Sequence, residues 1–271
     1  MKEIEDVVIT QIRRGEAFAL NDLLAVEEPL EMRLVYRDST GEVLRRSVAV
    51  TMRTPGKDSA LVRGFFISEK IIGAEDIVRI EEGENIVTVF TKDRAQVEVS
   101  KLSRNFFMTS SCGVCGKATL EDLKIGGFKK IVHTKKINIG IVLAIPPRSL
   151  ERQKVFQKTG GLHAASAYTY DGQFIAIAED VGRHNAFDKL IGALLEQGQN
   201  CSDCIVFLSG RVSFELVQKA VSLGVPFLAS VGAPSSLAVQ TAKAFNLGLI
   251  AFIRKERANI YSGFEYMDLS S

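Results

Sequence analysis

From Cys204 to Lys255 the chain runs CIVFLS (204–209), SFELVQKAVSLG (213–224), PFLASV (226–231), SSLAVQTAKAFN (235–246) and LGLIAFIRK (247–255). The short apolar runs have the length of buried strands and no polar alternation, whereas the two longer segments space their apolar residues as amphipathic helices do. Strand and helix in turn predict a sheet covered by helices. Ser213 and Ser235 or Ser236 stand where a hydroxyl can cap the first turn of each helix. The loops LSGRVSFE and SVGAPSSLA end strands and open helices, the place where α/β sheets collect ligands.

The same rhythm extends upstream. PPRSLERQKVFQK (146–158) reads as a helix opened by proline, ASAYTY (165–170) and QFIAIAE (173–179) flank an Asp171-Gly172 turn, and Phe187, Leu190, Ile191 and Leu194 mark one helical face. The apolar run Ile139 to Ile145, like Leu247 to Ile253, has the length of a buried strand. Residues 31–101 read differently: LEMRLVY, the turn DSTG, VLRRSVAVTM, IVRI, the turn EGEN, IVTVF and AQVEVS are strands, interrupted by one helix, SALVRGFFISEKI, with Leu61, Phe65 and Ser68 on a stripe. The expected fold is therefore mixed α/β and α+β. A smaller strand-rich domain spans 17–104, a connection 105–137 carries a short helix, and a three-layer α/β domain spans 138–271.

Charge and composition narrow the function classes. The 271 residues carry 34 basic and 32 acidic side chains, so a net +2 leaves too little field to argue for nucleic acid or an anionic membrane. No apolar run approaches the ~18 residues of a spanning helix. The start, MKEIEDVVITQIRRGEAF, lacks a signal peptide's apolar region, which predicts a cytoplasmic protein. Four cysteines are too few for a disulfide framework, and their grouping as Cys112/Cys115 and Cys201/Cys204 points to chemistry or metal.

SSCGVCGKATLEDL (110–123) carries the strongest chemical signal. Only a thiolate is nucleophilic, and the amides of a helix start after Cys115 together with Lys117 would lower a thiol's pKa. Gly113 and Gly116 let the backbone bend toward a partner. A zinc site completed by Cys201 and Cys204 is the alternative, although the separation from Cys115 to Cys201 is far outside ribbon-like spacing. A thioredoxin-type motif would follow a strand and open a long helix, which polar Ser110-Ser111 does not fit. Cys204 begins an apolar strand, so Cys201 and Cys204 read as core.

In EDVGRHNAFDKLIG (179–192), His184 and Asp188 are i,i+4 neighbours, which either orients an imidazole or belongs to a solvated helix start capped by Asp180. His163 in TGGLHAASA is followed by two alanines where a zinc deaminase needs glutamate. Arg254, Lys255 and Arg257 form a local basic cluster suited to phosphate.

TPGKDSALVRGFFISE, TSSCGVCGKATLE, TGGLHAA, EDVGRHNAFDKLIG, SGRVSFELVQKA, APSSLAV and FIRKERANIYS together resemble the formate dehydrogenase accessory sulfurtransferase (FdhD) family, nearly end to end. Lys57 stands where the family often has histidine, and Ala251 where glycine is usual. The resemblance implies a cytoplasmic homodimer that takes sulfane sulfur from a cysteine desulfurase and passes it to the molybdenum cofactor, bis-molybdopterin guanine dinucleotide, for formate dehydrogenase. It implies that Cys112 carries a persulfide with Cys115 assisting, with no metal of the protein's own. It further implies that Phe252, Ile253, Arg254, Lys255, Glu256 and Arg257 contact the cofactor, in a domain resembling the cytidine deaminase fold without its zinc; Ser209, Arg211 and Ser235 on the strand-end loops, and His184, are further candidates for cofactor binding. A non-catalytic cofactor chaperone and a cysteine redox switch are the other classes the cysteines allow.

Overall fold

Alternation in LEMRLVY puts Leu30, Met32, Leu34 and Tyr36 on one buried face of a five-stranded sheet. The computed structural model describes residues 2–98, 106–108 and 128–270. Its first half comprises β1 (Ile4–Arg13), β2 (Glu16–Ala25), β3 (Glu28–Arg37), β4 (Val43–Arg53), helix α1 (Asp58–Ser68), β5 (Ile77–Gly83), β6 (Ile86–Thr91) and β7 (Phe106–Met108). The sheet order is β5-β6-β3-β4-β7, and α1 lays Leu61, Val62, Phe65 and Phe66 on its apolar face. Strands β1 and β2 form a separate antiparallel hairpin. Its turn needs two left-handed residues, supplied by Arg14 (φ 52°) and Gly15 (φ 87°). Charges between short apolar pieces hide both strands of this hairpin in the sequence.

The second half comprises β8 (Ile137–Asn138), α2 (Ile139–Leu150), α3 (Phe156–Thr159), β9 (His163–Tyr168), β10 (Phe174–Asp180), α4 (Arg183–Glu196), β11 (Ile205–Leu208), α5 (Phe214–Ser222), β12 (Phe227–Ser230), α6 (Ser236–Ala244), β13 (Gly248–Arg254), β14 (Arg257–Ser262) and β15 (Met267–Asp268). The six-stranded order is β10-β9-β11-β12-β13-β14, parallel only through β11, β12 and β13. Helices α4, α5 and α6 bury one face, against Val206, Leu208, Leu228 and Leu249; α2 buries the other, against Ile205, Phe207, Phe227 and Ile250.

Two expectations are corrected here. Ile139 to Ile145 is not a strand but the first part of α2, whose N-cap Asn138 accepts from the Gly140 amide at 2.8 Å. Pro146 and Pro147 lie inside that helix instead of opening it. A seven-residue apolar run fits a strand or a buried helix equally. The helix wins because Val142, Ile145 and Ser149 all fall on the side facing the sheet. The missing amides leave the carbonyls of Val142 and Leu143 without their intrahelical donors, so α2 is held by packing.

The two halves touch backbone to backbone. A Cβ added at Gly64 of α1 would stand 1.9 Å from the Asp188 carbonyl of α4, and one at Gly192 would stand 1.9 Å from that of Ala60. Buried polar groups sew the same seam. Lys189 Nζ reaches Asp180 at 2.7 Å and the Thr54 carbonyl at 2.6 Å, and Asn185 donates to the Met52 carbonyl at 2.8 Å. Lys219 Nζ lies 2.8 Å from Asp188 and 2.9 Å from Glu69, and Ser68 donates to Asp188 at 2.9 Å.

Candidate functional site

Parallel strands end together, so β11, β12 and β13 deliver three loops to one edge of the sheet. Two of them approach so closely that only glycine fits: a Cβ at Gly232 would lie 2.4 Å from the Gly210 carbonyl. The Val212 amide donates to Ala233 and the Ser235 amide to Val212, both at 3.0 Å. The third loop joins through the Phe252 amide, which donates to Gly232 at 3.2 Å, and through Arg254 Nη1, which donates to the Val231 carbonyl at 3.0 Å. Phe252 adopts a left-handed backbone (φ 52°) at an irregularity in the β13/β14 pairing. The irregularity turns Phe252 outward and buries Ile253 beside α2.

His163 opens β9, the antiparallel neighbour of β11. Ser209 Oγ accepts from the Ala164 amide at 2.8 Å, and the space above Gly210 belongs to the imidazole, whose Nδ1 would lie 2.9 Å from a Cβ there. Burial, then the cations Arg183 and Arg211, lower the His163 pKa, so it is neutral at physiological pH. Glu179, at the end of β10, accepts from the Val155 and Phe156 amides at 3.2 and 2.8 Å and thereby holds the start of α3.

Between these loops and α2 lie two cavities. One, of about 560 Å³, is lined by Leu150, Phe156, Gly160, Gly161, Leu162, His163, Phe207 and Ser209; the other, of about 730 Å³, by Gly140, Leu143, Ala144, Ile253, Arg254 and Lys255. Both include Pro146, Pro147 and Val231, so they form one apolar groove with an imidazole at one end and two cations at the other. Apolar walls with a few placed polar groups are what a large ligand needs.

Of the residues expected from the sequence, Ser209, Ile253, Arg254 and Lys255 line this groove, while Phe252, Glu256, Arg257, Arg211, Ser235 and His184 do not. Arg257 faces Arg254 across the β13/β14 turn. Ser235 spends its hydroxyl as the N-cap of α6, accepting from the Ala238 amide. The expected pairing of His184 with Asp188 is corrected. Asp188 is taken by Lys219 and Ser68, and His184 Nε2 pairs with Ser213 Oγ at 3.0 Å, which leaves Ser213 at the N-cap of α5 without a capping bond. Burial first, then Arg183 and Lys219, push the His184 pKa down to about 3. Asp180 is likewise not the N-cap of α4. Gly182 holds that position, and Asp180 accepts from its amide at 2.8 Å.

Cys112 and Cys115 lie outside the described residues. Cys201 and Cys204 belong to the apolar core, where burial pushes their thiols up to about 11 and about 12, so both are protonated and unreactive at neutral pH. Among the described residues no group of three His, Cys, Asp or Glu side chains is placed to hold a metal.

The model of the FdhD/NarQ family matches residues 26–268. The chain belongs to that family. The sulfur carrier protein FdhD of Mycolicibacterium paratuberculosis is 43% identical over 270 residues, covering 94% of this chain and 95% of its own. That of Nocardia farcinica is 44% identical, covering 89% and 87%, and that of Picrophilus torridus 41%, covering 90% and 91%. A crystal structure from Desulfotalea psychrophila, described as a formate dehydrogenase accessory protein, superposes with a TM-score of 0.75 over 98% of this chain and 100% of that one. At 21% identity it establishes a shared fold. What the sequence does not show in this FdhD/NarQ member is the α2 wall of the groove. TGGLH lacks a zinc-deaminase signature, yet its two glycines and histidine line the groove.

Proposed function

We propose that this chain is a sulfur carrier for formate dehydrogenase, working in the cytoplasm as a homodimer. The observation that carries the reading is kinship over nearly the whole chain with proteins named sulfur carrier protein FdhD. Cys112 thiolate attacks the outer sulfur of a cysteine desulfurase persulfide; that S–S bond breaks, the donor thiolate leaves, and Cys112 becomes a persulfide. Cys115 assists this exchange. The outer sulfur then passes to the molybdenum of bis-molybdopterin guanine dinucleotide, the acceptor supplies two electrons, and the Cys112 thiolate returns. The protein supplies positioning. The groove suits a large, partly apolar ligand, and Arg254 and Lys255 at its end suit pyrophosphate. The second half is read as a cytidine deaminase-like fold without zinc, in keeping with His163 being followed by Ala164 and Ala165.

The test is mass spectrometry of the intact protein after incubation with a desulfurase and cysteine. Wild type is expected to gain one sulfur atom that dithiothreitol removes, and Cys112→Ala to gain none. Undiminished sulfur on Cys112→Ala, or a stable Cys112–Cys115 disulfide without persulfide, overturns the reading.

A further inference from the structure

The β1/β2 hairpin is out of proportion to its support. Its strands are ten residues each, about 34 Å at ~3.4 Å per residue, yet among the described residues none of the three apolar cores draws a residue from it. Both faces carry apolar side chains. Val8 (76% exposed) and Ile12 (65%) lie on one, and Phe18 (44%) and Leu24 (47%) on the other. A lone two-stranded hairpin is marginal in water, and three or more strands with a buried face are needed for stability.

Charge identifies the missing strands. β1 is acidic near the body of the protein, at Glu5 and Asp6, and basic at the tip, at Arg13 and Arg14. Such a strand complements a second copy of itself laid antiparallel. With a two-fold axis through Ile9, Glu5 stands opposite the partner's Arg13, twice by symmetry, and the directly opposed residues share a face. β2 carries the reverse instruction: centred on Ala19, the same operation sets Glu16 against the partner's Asp22, like against like.

We infer that two copies of this chain associate through the outer edges of β1, closing a four-stranded antiparallel sheet in the order β2-β1-β1-β2. The site follows: β2 packs beside α3, and Ala25 Cβ lies within 3.7 Å of where a Gly161 side chain would begin, so the shared sheet abuts the wall of the groove in each copy.

The inference rests on the homodimer proposed above, and sedimentation equilibrium of the full chain separates the two. Wild type is expected to be a dimer at micromolar concentration. Arg13→Glu and Glu5→Arg should each raise the dissociation constant by about tenfold, because each sets two like-charge pairs in place of two attractive ones. The double variant Glu5→Arg/Arg13→Glu restores opposite charges and should return to near wild-type affinity. A dimer indifferent to the single reversals, or a double variant no better than the singles, refutes the β1 interface while the dimer stands. A monomeric wild type at tens of micromolar refutes both.

Discussion

Replacing Lys219 with methionine probes the seam between the halves. Lys219 Nζ is buried between Asp188 at 2.8 Å and Glu69 at 2.9 Å, and Asp188 is wholly enclosed. Removing one partner of a buried pair costs ~3–5 kcal/mol, since the remaining charge keeps its desolvation penalty and loses its compensation. Glu69 can turn toward water and Ser68 still donates to Asp188, which favours the lower figure. At roughly 2–4 °C per kcal/mol for a chain near this size, the melting temperature should fall by about 10 °C at pH 8. The pH dependence has a definite sign. Burial raises the Asp188 pKa to about 6 even against the pull of Lys219, so without the lysine it must rise further. A carboxyl with a folded pKa above its unfolded value of ~3.9 loses stability as pH rises between the two. The variant should therefore melt closest to wild type near pH 5, where Asp188 is protonated, and farthest from it at pH 8. Adding Asp188→Asn should recover much of the loss. A gap below 2 °C at pH 8, or one as wide at pH 5, would show that the pair is not the buried, mutually dependent unit described.

Three further outcomes follow from the site. The His184 imidazole, held near a pKa of about 3, should show no NMR titration between pH 5 and 8; because the unfolded chain takes that proton near ~6.5, its contribution to stability is complete above ~6.5 and is lost as pH falls toward 3. A midpoint near 6.5 would contradict its burial. Arg254→Ala with Lys255→Ala should weaken guanosine diphosphate binding more than tenfold by calorimetry, at ~1.5–3 kcal/mol per charged hydrogen bond, with persulfide formation unchanged; equal affinities would move the phosphate site elsewhere. Cys201→Ala with Cys204→Ala should leave Cys112 persulfide formation intact, since both thiols are core groups, and stoichiometric zinc in wild type would reverse that conclusion.

Strands and helices with a single periodicity were legible in the sequence, and ambiguous ones were not. CIVFLS, PFLASV and LGLIAFIRK are β11, β12 and the core of β13, and the Phe187-Leu190-Ile191-Leu194 stripe is the buried face of α4. Ile139 to Ile145 went astray because an apolar run alone does not say whether its neighbours lie 3.3 Å or 1.5 Å along the axis. The strand-end loops and the basic turn after β13 were legible as loops at the sheet edge, because glycine, serine and arginine punctuate the ends of the apolar runs. The opposite wall was hidden: Pro146, Pro147 and Leu150 are ordinary side chains that become a groove only when α2 crosses the sheet. Side-chain partners were the least legible. The spacing of His184 and Asp188 permits a pair, but Lys219, from another helix, claims the carboxylate.

The glycine contact between α1 and α4 also sets a timetable. Gly64 emerges from the ribosome well before its seat: Ser68 ends α1 and Arg183 begins α4, 115 positions later. At ~5–20 residues per second that interval is on the order of ten seconds, during which the outer side of α1, with Ala60, Gly64 and the buried Ser68, has nothing from α4 to rest on. Nascent chains of this protein should thus be most vulnerable to proteases and most attractive to chaperones in that window. Synonymous changes that slow translation between residues 68 and 183 should lower the soluble yield without altering a single contact of the finished molecule.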